Sequence, residues 1–363
     1  MCGILGPRQC GKTTLARYYA EELQEFPVHY FDLEDPTDIS KLESPKLILE
    51  PLKGLIILDE IQRRPEIFPY LRSFVDKYPD RKILILGSAS RDLIQQSSET
   101  LAGRISYVEL TPLNFLETND LTTLWHRGGF PRSFLAPTDR SSFRWRKDFI
   151  TTFLERDIAA LGFNVSSYDM RRLWTMLAHY HGNTLNYSEL GKSLGVSDNT
   201  IRKYIGLLQG TFMVRCLKPW FENIKKRQLK TPKIYLRDSG MLHALLDMKE
   251  EDMVMHPKIG ASWEGFAVEE IIRLYNAEPD NCYFWSTQHQ AELDLLIISE
   301  GKKYGFEFKF TDSPKISKSM HIALEDLKLD KITIVIPGNE NYALSESFEV
   351  KGLEAISQNL EIN

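Results

Sequence analysis

Residues 6–14 read GPRQCGKTT, a G-x-x-x-x-G-K-T pattern typical of a phosphate-binding loop. Glycines let backbone N–H groups turn toward phosphate oxygens, and a following helix adds the positive end of its dipole. In such a loop the lysine (Lys12) reaches the β- and γ-phosphates of ATP, and the hydroxyl after it (Thr13) helps to hold Mg²⁺. The apolar run CGIL before the loop and the helical run TTLARYYAEELQ after it favour this interpretation over a chance match. We therefore expect the whole loop to bind nucleotide, through Gly6, Pro7, Arg8, Gln9, Cys10, Gly11, Lys12, Thr13 and Thr14.

Two adjacent acids end the apolar run GLIILDE. Asp59 is placed as a Walker B aspartate, which coordinates the metal ion through water. Glu60 is placed as the base that polarises the attacking water. Alone, such a pair would more often be a solvated turn, but together with the upstream loop it predicts a hydrolytic site for ATP and Mg²⁺.

A third polar element follows the apolar run KILILGSAS, where Ser88 or Ser90 would lie beside the γ-phosphate. Ligands of open α/β sheets bind at the carboxyl ends of the strands, and all three elements fall there. Three arginines are candidates for stabilising charge in the transition state: Arg8, Arg91 and Arg104, of which Arg104 is preferred.

A second set of chemistry-bearing residues lies near the C-terminus. Asp294 interrupts the apolar strand AELDLLI, and YGFEFKF carries Glu307 and Lys309 one residue apart, hence on one face of a strand. This is the D…E-x-K arrangement of restriction-type nucleases, in which the carboxylates bind Mg²⁺ and the lysine orients or deprotonates water. Glu264 or Glu269, on the preceding helix, matches the acid that such folds often add. The alternative is a salt-bridged structural face.

The segment NYSELGKSLGVSDNTIRKYIGLLQG resembles a helix-turn-helix. Residues 195–197 would form the turn and Asp198 would cap the second helix. Its apolar residues are expected in the core and its polar residues outside: Ile201, Ile205 and Leu208 against Asn199, Arg202 and Lys203. A basic stretch follows, including Lys225, Lys226 and Arg227, which is the electrostatic footprint of a DNA-binding wing. Packing between domains is the equally weighted alternative.

Composition excludes several classes of protein. A chain of 363 residues with 42% hydrophobic residues can bury two or three cores, and its net charge of −5 excludes a generally basic nucleic-acid binder. The four cysteines form no C-x-x-C pair, which argues against zinc and disulfides and favours a reducing, cytoplasmic location. No apolar segment approaches the ~18 residues of a membrane span. Isolated His179 and His181 are expected to pack or face solvent, and Trp263 and Trp285 to be core residues.

The brief apolar runs VHYFDL, GLIILDE, KILILGS and ISYVEL, separated by helical patterns, predict a parallel sheet buried on both faces. The fold class is therefore α/β.

The motifs GPRQCGKTTL, LDEIQ, GSAS with LAGR, GGFP at 128–131, LERDI and KTPKIYLRDSG occur in order along the chain. Together they resemble a bacterial and archaeal family of AAA-type ATPases that carry a C-terminal domain of unknown function. The resemblance implies four parts: an ATPase domain (1–135), a helical linker or lid (136–165), a winged-helix-like domain (166–244) and a restriction-endonuclease-like domain (245–363). Such families usually have more residues before the loop, so the strand that feeds it is expected to be short. Assembly of copies of this chain stays open.

Three functions compete on this basis. The leading one is an Mg²⁺-dependent ATPase that acts as a switch or motor, with an output on DNA. The second is a nuclease whose access is gated by ATP. The third is a non-catalytic protein whose nucleotide state is recognised by partners.

Overall fold

The computed structural model describes residues 1–23, 26–90, 101–160, 163, 165–221, 229–288 and 291–360. The strands of these residues are β1 Cys2–Leu5, β2 Val28–Asp32, β3 Leu55–Asp59, β4 Lys82–Gly87, β5 Ser106–Glu109, β6 Asn183–Thr184, β7 Val214–Pro219, β8 Lys233–Leu236, β9 Cys282–Ser286, β10 Glu292–Ser299, β11 Lys302–Phe308, β12 Ile332–Ile336, β13 Asn341–Ala343 and β14 Phe348–Gly352.

The α-helices of the same residues are α1 Lys12–Glu22, α2 Pro36–Lys41, α3 Pro45–Leu49, α4 Phe68–Lys77, α5 Phe115–Thr118, α6 Leu121–Arg127, α7 Pro131–Phe134, α8 Asp139–Thr152, α9 Ile158–Ala160, α10 Ser167–Tyr180, α11 Tyr187–Leu194, α12 Asp198–Gly210, α13 Ser239–Leu245, α14 Ile259–Leu274, α15 Lys318–Leu327 and α16 Leu353–Leu360. A π-helical segment, Phe153–Asp157, joins α8 to α9.

The chain divides into two compact units. The first consists of residues 1–112, 152–166 and 203–213, and the second of residues 113–151, 167–202 and 214–363. The division after residue 112 differs from the domain boundary expected at 135, because α5 to α8 pack within the second unit. The C-terminal part and most of the expected winged-helix-like part also belong to the second unit, whereas residues 203–213 belong to the first.

The first unit contains a sheet whose described strands run in the order β2-β3-β4-β1-β5, with every pairing parallel. Alternate residues of β3 belong to different cores: Ile56 and Leu58 pack with α4, whereas Leu55 and Ile57 pack with Ala16 of α1. Both faces are thus covered, which explains why this strand is apolar from Leu55 to Leu58, before its last residue Asp59. The predicted α/β class with a parallel sheet is confirmed.

The second unit contains a mixed sheet whose described strands run in the order β13-β14-β12-β11-β10-β9-β7-β8-β6. Helix α14 and Phe306 of β11 share one buried cluster, while Met320 of α15 packs in another cluster with Leu296. Trp263 and Trp285 are fully buried in these two clusters, as predicted.

No helix among the described residues combines the length and the hydrophobicity needed to cross a bilayer.

Candidate functional site

The phosphate loop joins β1 to α1, as predicted. A Cβ at Gly6 would lie 2.0 Å from the Leu110 carbonyl oxygen, so only glycine allows this close backbone approach. Gly11 has a φ of 108° and precedes α1 with no side-chain cap. The first amides of a helix lack intrahelical acceptors, so an uncapped start of this kind suits an anion.

Lys12 is buried against its own loop. Its Nζ donates to the carbonyl oxygens of Gly6 at 3.0 Å and Pro7 at 2.9 Å. Both acceptors are neutral, so a phosphate oxygen would be a stronger partner for the ammonium group.

Thr13 and Asp59 meet at the carboxyl edge of the sheet. The Thr13 hydroxyl donates to Asp59 Oδ2 at 2.7 Å, and the Tyr30 hydroxyl donates to the same oxygen. Burial and the Asp59 carboxylate together raise the pKa of Tyr30 above its usual value. A hydroxyl and a carboxylate oxygen are donors that Mg²⁺ prefers, so these residues fit the metal that the sequence predicts.

Glu60 has a φ of 55°, the left-handed region that a glutamate rarely adopts. Its carboxylate accepts from Ser88 Oγ at 3.2 Å and from Gln62 Nε2, while Gln62 Oε1 accepts from the Ser88 amide at 3.1 Å. Strained backbone that surrounding bonds hold in place is common at functional sites. Of the two candidate serines, Ser88 therefore contacts the acid; the Ser90 amide instead donates to the Gly210 carbonyl.

Arg8 leaves the loop toward two acids. Its guanidinium donates to Asp157 at 2.5 Å and to Glu34 at 2.9 Å. Burial raises the pKa of Asp157, although the Arg8 charge opposes the shift. Both acids line a small cavity together with Arg8, Gln62 and Ser88.

The remaining loop residues support its shape. Cys10 Sγ donates to the Leu110 carbonyl at 3.4 Å, and burial raises the pKa of this thiol. Gln9 has a φ of 64°, and the Thr14 side chain is exposed.

The structure does not bring Arg104 to this loop. It lies before β5, at the amino edge of the sheet, because Ser106 pairs with Cys2 whereas the phosphate loop follows Leu5. Its guanidinium binds both oxygens of Asp76, at 2.7 and 2.9 Å. Arg91 lies outside the described residues.

The C-terminal acids do come together. The antiparallel register of β10 and β11 pairs Leu295 with Phe306, which sets Asp294 opposite Glu307. Lys309 Nζ donates to Glu307 Oε1 at 2.8 Å. Burial, and then the Asp294 charge, raise the pKa of Glu307 to about 8.

Lys233, which the sequence reasoning did not single out, lies among these acids. Its buried Nζ is 3.3 Å from Asp294 and 3.4 Å from Glu264, and it also contacts Glu292. Burial raises the pKa of Glu264 to about 7, with the Lys233 charge opposing. Lys233 belongs to the motif KTPKIYLRDSG, which was the one feature of the sequence that could have pointed to this residue.

Glu269 does not join this cluster, because it is paired with Arg215 and Arg237. Burial alone would raise its pKa, but Arg215 and Arg237 outweigh burial and lower the pKa to about 2. Of the two helix acids, only Glu264 therefore joins the cluster of Lys233 and Asp294.

These acids do not fit a divalent ion as arranged. Both oxygens of Asp294 are used, one by Lys233 and the other by the Phe308 amide at 3.1 Å. Within the described ranges, no three His, Cys, Asp or Glu side chains are grouped so that they could hold a metal ion.

The helix-turn-helix residues lie as predicted, with one correction. Helix α12 buries its apolar residues and exposes its polar ones: Ile201, Ile205 and Leu208 against Asn199, Arg202 and Lys203. The cap of this helix is Ser197, whose Oγ accepts from the Thr200 amide at 3.2 Å, and not Asp198, which binds Ser188. The basic residues Lys225, Lys226 and Arg227 lie outside the described residues.

The two histidines differ in environment. His181 is buried, and desolvation lowers its pKa to about 3. Its Nδ1 accepts from the Leu236 amide at 3.0 Å. This agrees with a packing role. His179 is exposed.

The sequence motifs did not assign four residues that the structure brings to the candidate nucleotide site: Gln62, Tyr30, Glu34 and Asp157. Gln62 and Asp157 belong to the quoted motifs LDEIQ and LERDI, so their positions carried a signal. For Tyr30 and Glu34, which flank the end of β2, only the strand assignment could have placed them at the same edge.

Family models match three parts of the chain. Residues 1–119 match an AAA domain, residues 118–252 a domain of unknown function (DUF8612), and residues 259–356 another domain of unknown function (DUF4143). The AAA domain and the C-terminal domain of unknown function that the resemblance implied are thereby confirmed.

Relatives extend over nearly the whole chain. The uncharacterized protein Rv2008c of Mycobacterium tuberculosis is 47% identical over 348 residues, covering 95% of this chain and 78% of the relative. The uncharacterized protein MJ1544 of Methanocaldococcus jannaschii is 21% identical, covering 92% of this chain and 80% of the relative. Among solved structures, the Thermotoga maritima RuvB Holliday junction branch migration motor is 20% identical and covers 59% of this chain and 81% of its own, with a TM-score of 0.27.

Proposed function

This chain belongs to the family of the mycobacterial protein Rv2008c, and we propose that it is an Mg²⁺-dependent ATPase whose nucleotide state drives an output on DNA. One observation carries the ATPase proposal. The Thr13 hydroxyl of the phosphate loop donates to Asp59 Oδ2 at 2.7 Å, although 46 residues separate them in the chain. The match of residues 1–119 to an AAA domain agrees with this proposal.

The roles of the loop residues follow from their contacts. The amides at the start of α1 would bind phosphate oxygens, and Lys12 would exchange two carbonyls for a phosphate. Thr13 and Asp59 would hold Mg²⁺, which neutralises phosphate charge when bound.

Glu60 would accept the proton of the attacking water. Ser88 and Gln62 fix its carboxylate at the edge of the sheet where the phosphates would lie. Arg8 lines a small cavity with Ser88 and Gln62, which supports a role for it at this site, whereas Arg104 binds Asp76.

A winged-helix-like role is proposed for the segment from α10 to β8. Three helices precede a pair of antiparallel strands, and β6 pairs with β8. Arg202 is exposed, and its guanidinium carbon lies 3.7 Å from the centroid of the Tyr187 ring. We expect DNA binding that weakens steeply with salt, and less steeply after neutralisation of Lys225, Lys226 and Arg227.

The nuclease alternative rests on Asp294, Glu307 and Lys309, which do share one site. The Lys233 ammonium disfavours it, because this buried positive charge lies 3.3 Å from Asp294 and would repel a metal ion bound there. The non-catalytic alternative predicts tight ATP binding with very slow turnover.

One experiment distinguishes the three functions. Phosphate release and plasmid nicking are measured in parallel for the wild type, Glu60→Gln and Asp294→Ala, with and without DNA. We expect Mg²⁺-dependent phosphate release that Glu60→Gln lowers about 100-fold while ATP still binds, since a general base contributes ~10²–10⁴-fold. Nicking that Asp294→Ala abolishes would instead favour the nuclease. A wild type that binds no nucleotide would overturn the proposal.

A further inference from the structure

The cluster around Lys233 joins three elements of the second unit. Lys233 lies on β8, Glu264 on α14, and Glu292 and Asp294 on β10. The lysine side chain is only 4% exposed, and its Nζ reaches all three carboxylates. An ammonium group has three N–H donors, so this arrangement provides one acceptor for each.

The surrounding bonds leave little room for another cation. Tyr235 donates to Glu264 Oε1 at 2.6 Å, the oxygen that also faces Lys233. Asp294 Oδ2 accepts from the Phe308 amide. A divalent ion between Asp294 and Glu264 would lie within a few Å of a buried ammonium, where like charges repel strongly.

A buried ammonium also needs these acids. Removing a charge from water costs several kcal/mol, which is recovered only by good partners. Burial alone would lower the pKa of Lys233, but the acidic groups around it raise the pKa well above its usual value, so the charge is retained.

We infer that Lys233 is a permanent internal cation that takes the place of a divalent metal ion between Asp294 and Glu264. The cluster is then an ionic joint that fixes β8 to β10 and α14, and it does not bind Mg²⁺. Glu307, opposite Asp294 on β11, is paired through Oε1 with Lys309, while its buried Oε2 has no hydrogen-bond partner within the described part of the chain. The inference is independent of the ATPase proposal.

The test is Mn²⁺ binding to the full chain, measured by isothermal titration calorimetry. Every variant carries Asp59→Asn, so that the nucleotide site contributes nothing. With Lys233 present, we expect no Mn²⁺ site that depends on Asp294. Lys233→Met should create one site, at least tenfold tighter than in the matched control Lys309→Met, and adding Asp294→Asn should abolish it.

Two results would overturn the inference. One is a protein with Lys233 intact that binds one Mn²⁺, with the binding lost in Asp294→Asn. The other is a folded Lys233→Met variant, shown by near-UV circular dichroism, that gains no site. If Lys233→Met does not fold, the comparison of Asp294→Asn with its parent still decides, because it needs no change at Lys233.

Discussion

Each unit of this protein contains a buried lysine, but the acceptors around the two ammonium groups differ. Lys12 donates to two backbone carbonyls of its own loop. Lys233 faces three carboxylates that come from two other elements. Among the residues that the structure describes, the hydrogen-bond acceptors of Lys12 are neutral carbonyls, whereas Lys233 is surrounded by more negative charge than it carries positive charge.

This difference separates a binding site from a structural joint. A neutral carbonyl is a weaker acceptor than an ionised oxygen, so a triphosphate can replace the loop carbonyls as the hydrogen-bond acceptor of Lys12. A carboxylate is as strong an acceptor as a phosphate, so a ligand gains nothing by competing for Lys233. The acid of the first site, Asp59, accepts from the hydroxyls of Thr13 and Tyr30 and from the Glu60 amide, which are neutral donors that a metal ion can displace.

The largest expected effect is on stability. Lys233→Met leaves three carboxylates without their cation, and breaking a buried ion pair from one side costs about 3–5 kcal/mol. Lys12→Met leaves no charge unpaired and should cost about 1 kcal/mol, the net value of an ordinary hydrogen bond. Urea denaturation of the two variants measures both. Equal losses would mean that the acceptors do not distinguish the two lysines.

The next effect concerns ATP affinity, for which Lys12→Met should have the larger effect and Lys233→Met the smaller one. Lys12→Met should weaken Mg²⁺–ATP binding about 100-fold, because charge-assisted bonds to phosphate contribute ~1.5–3 kcal/mol. Lys233→Met should leave the affinity within about twofold, provided that the variant is folded. Calorimetric titration with a non-hydrolysed ATP analogue measures both. Unchanged affinity in Lys12→Met would remove the lysine from the site.

A third prediction tests whether the carboxylate cluster holds surplus negative charge. Burial and Asp294 raise the pKa of Glu307 from 4.5 to about 8, with Lys309 and Lys233 opposing. Between these pH values the folded protein holds a proton that the unfolded chain has released, so stability falls as pH rises. The fall is at most about 1.4 kcal/mol per pH unit.

Glu307→Gln should remove the contribution of this carboxyl and make the slope shallower, while the raised pKa of Glu264 keeps a smaller fall; denaturation at pH 5, 6.5 and 8 measures the slope. Glu325→Gln, an exposed position of α15, is the matched control and should keep the wild-type slope. An unchanged slope in Glu307→Gln would mean that this carboxyl is ionised in the folded protein at neutral pH.

Local pattern predicted the first site far better than the second. Three short apolar runs predict the strands, and one of them precedes each polar element: the phosphate loop, Asp59 and Ser88. The carboxyl ends of parallel strands meet at one edge of a sheet. Sequence spacing therefore stood for spatial proximity. Lys233 lies 61 residues from Asp294, and only the pairing of β7 with β9 joins their strands in one sheet. No local pattern contains that information.

The position of Arg104 in the sequence already indicates that it lies far from the phosphate loop. It lies two residues before β5, and a residue before a parallel strand lies at the amino edge, away from the phosphate loop. Four residues of strand, about 13 Å at 3.3 Å per residue, separate the two edges. The difference between Ser197 and Asp198 as the cap is of another kind, since helix ends are uncertain by a residue or two in any sequence pattern.

The smallest expected effect concerns Arg8, whose environment is intermediate between those of Lys12 and Lys233. Its partners Asp157 and Glu34 are carboxylates, like those of Lys233, but the Arg8 side chain is 25% exposed, with Glu34 at 35% and Asp157 at 11%. Such partly exposed pairs contribute only about 0.2–1 kcal/mol, so a γ-phosphate could compete for the guanidinium. Asp157→Asn removes one competitor and should tighten ATP binding about threefold in calorimetric titrations. Asp76→Asn, which frees Arg104 at the opposite edge of the sheet, is the matched control and should change nothing. Weaker ATP binding in Asp157→Asn would mean that the acid positions Arg8 for the phosphate and does not compete with it.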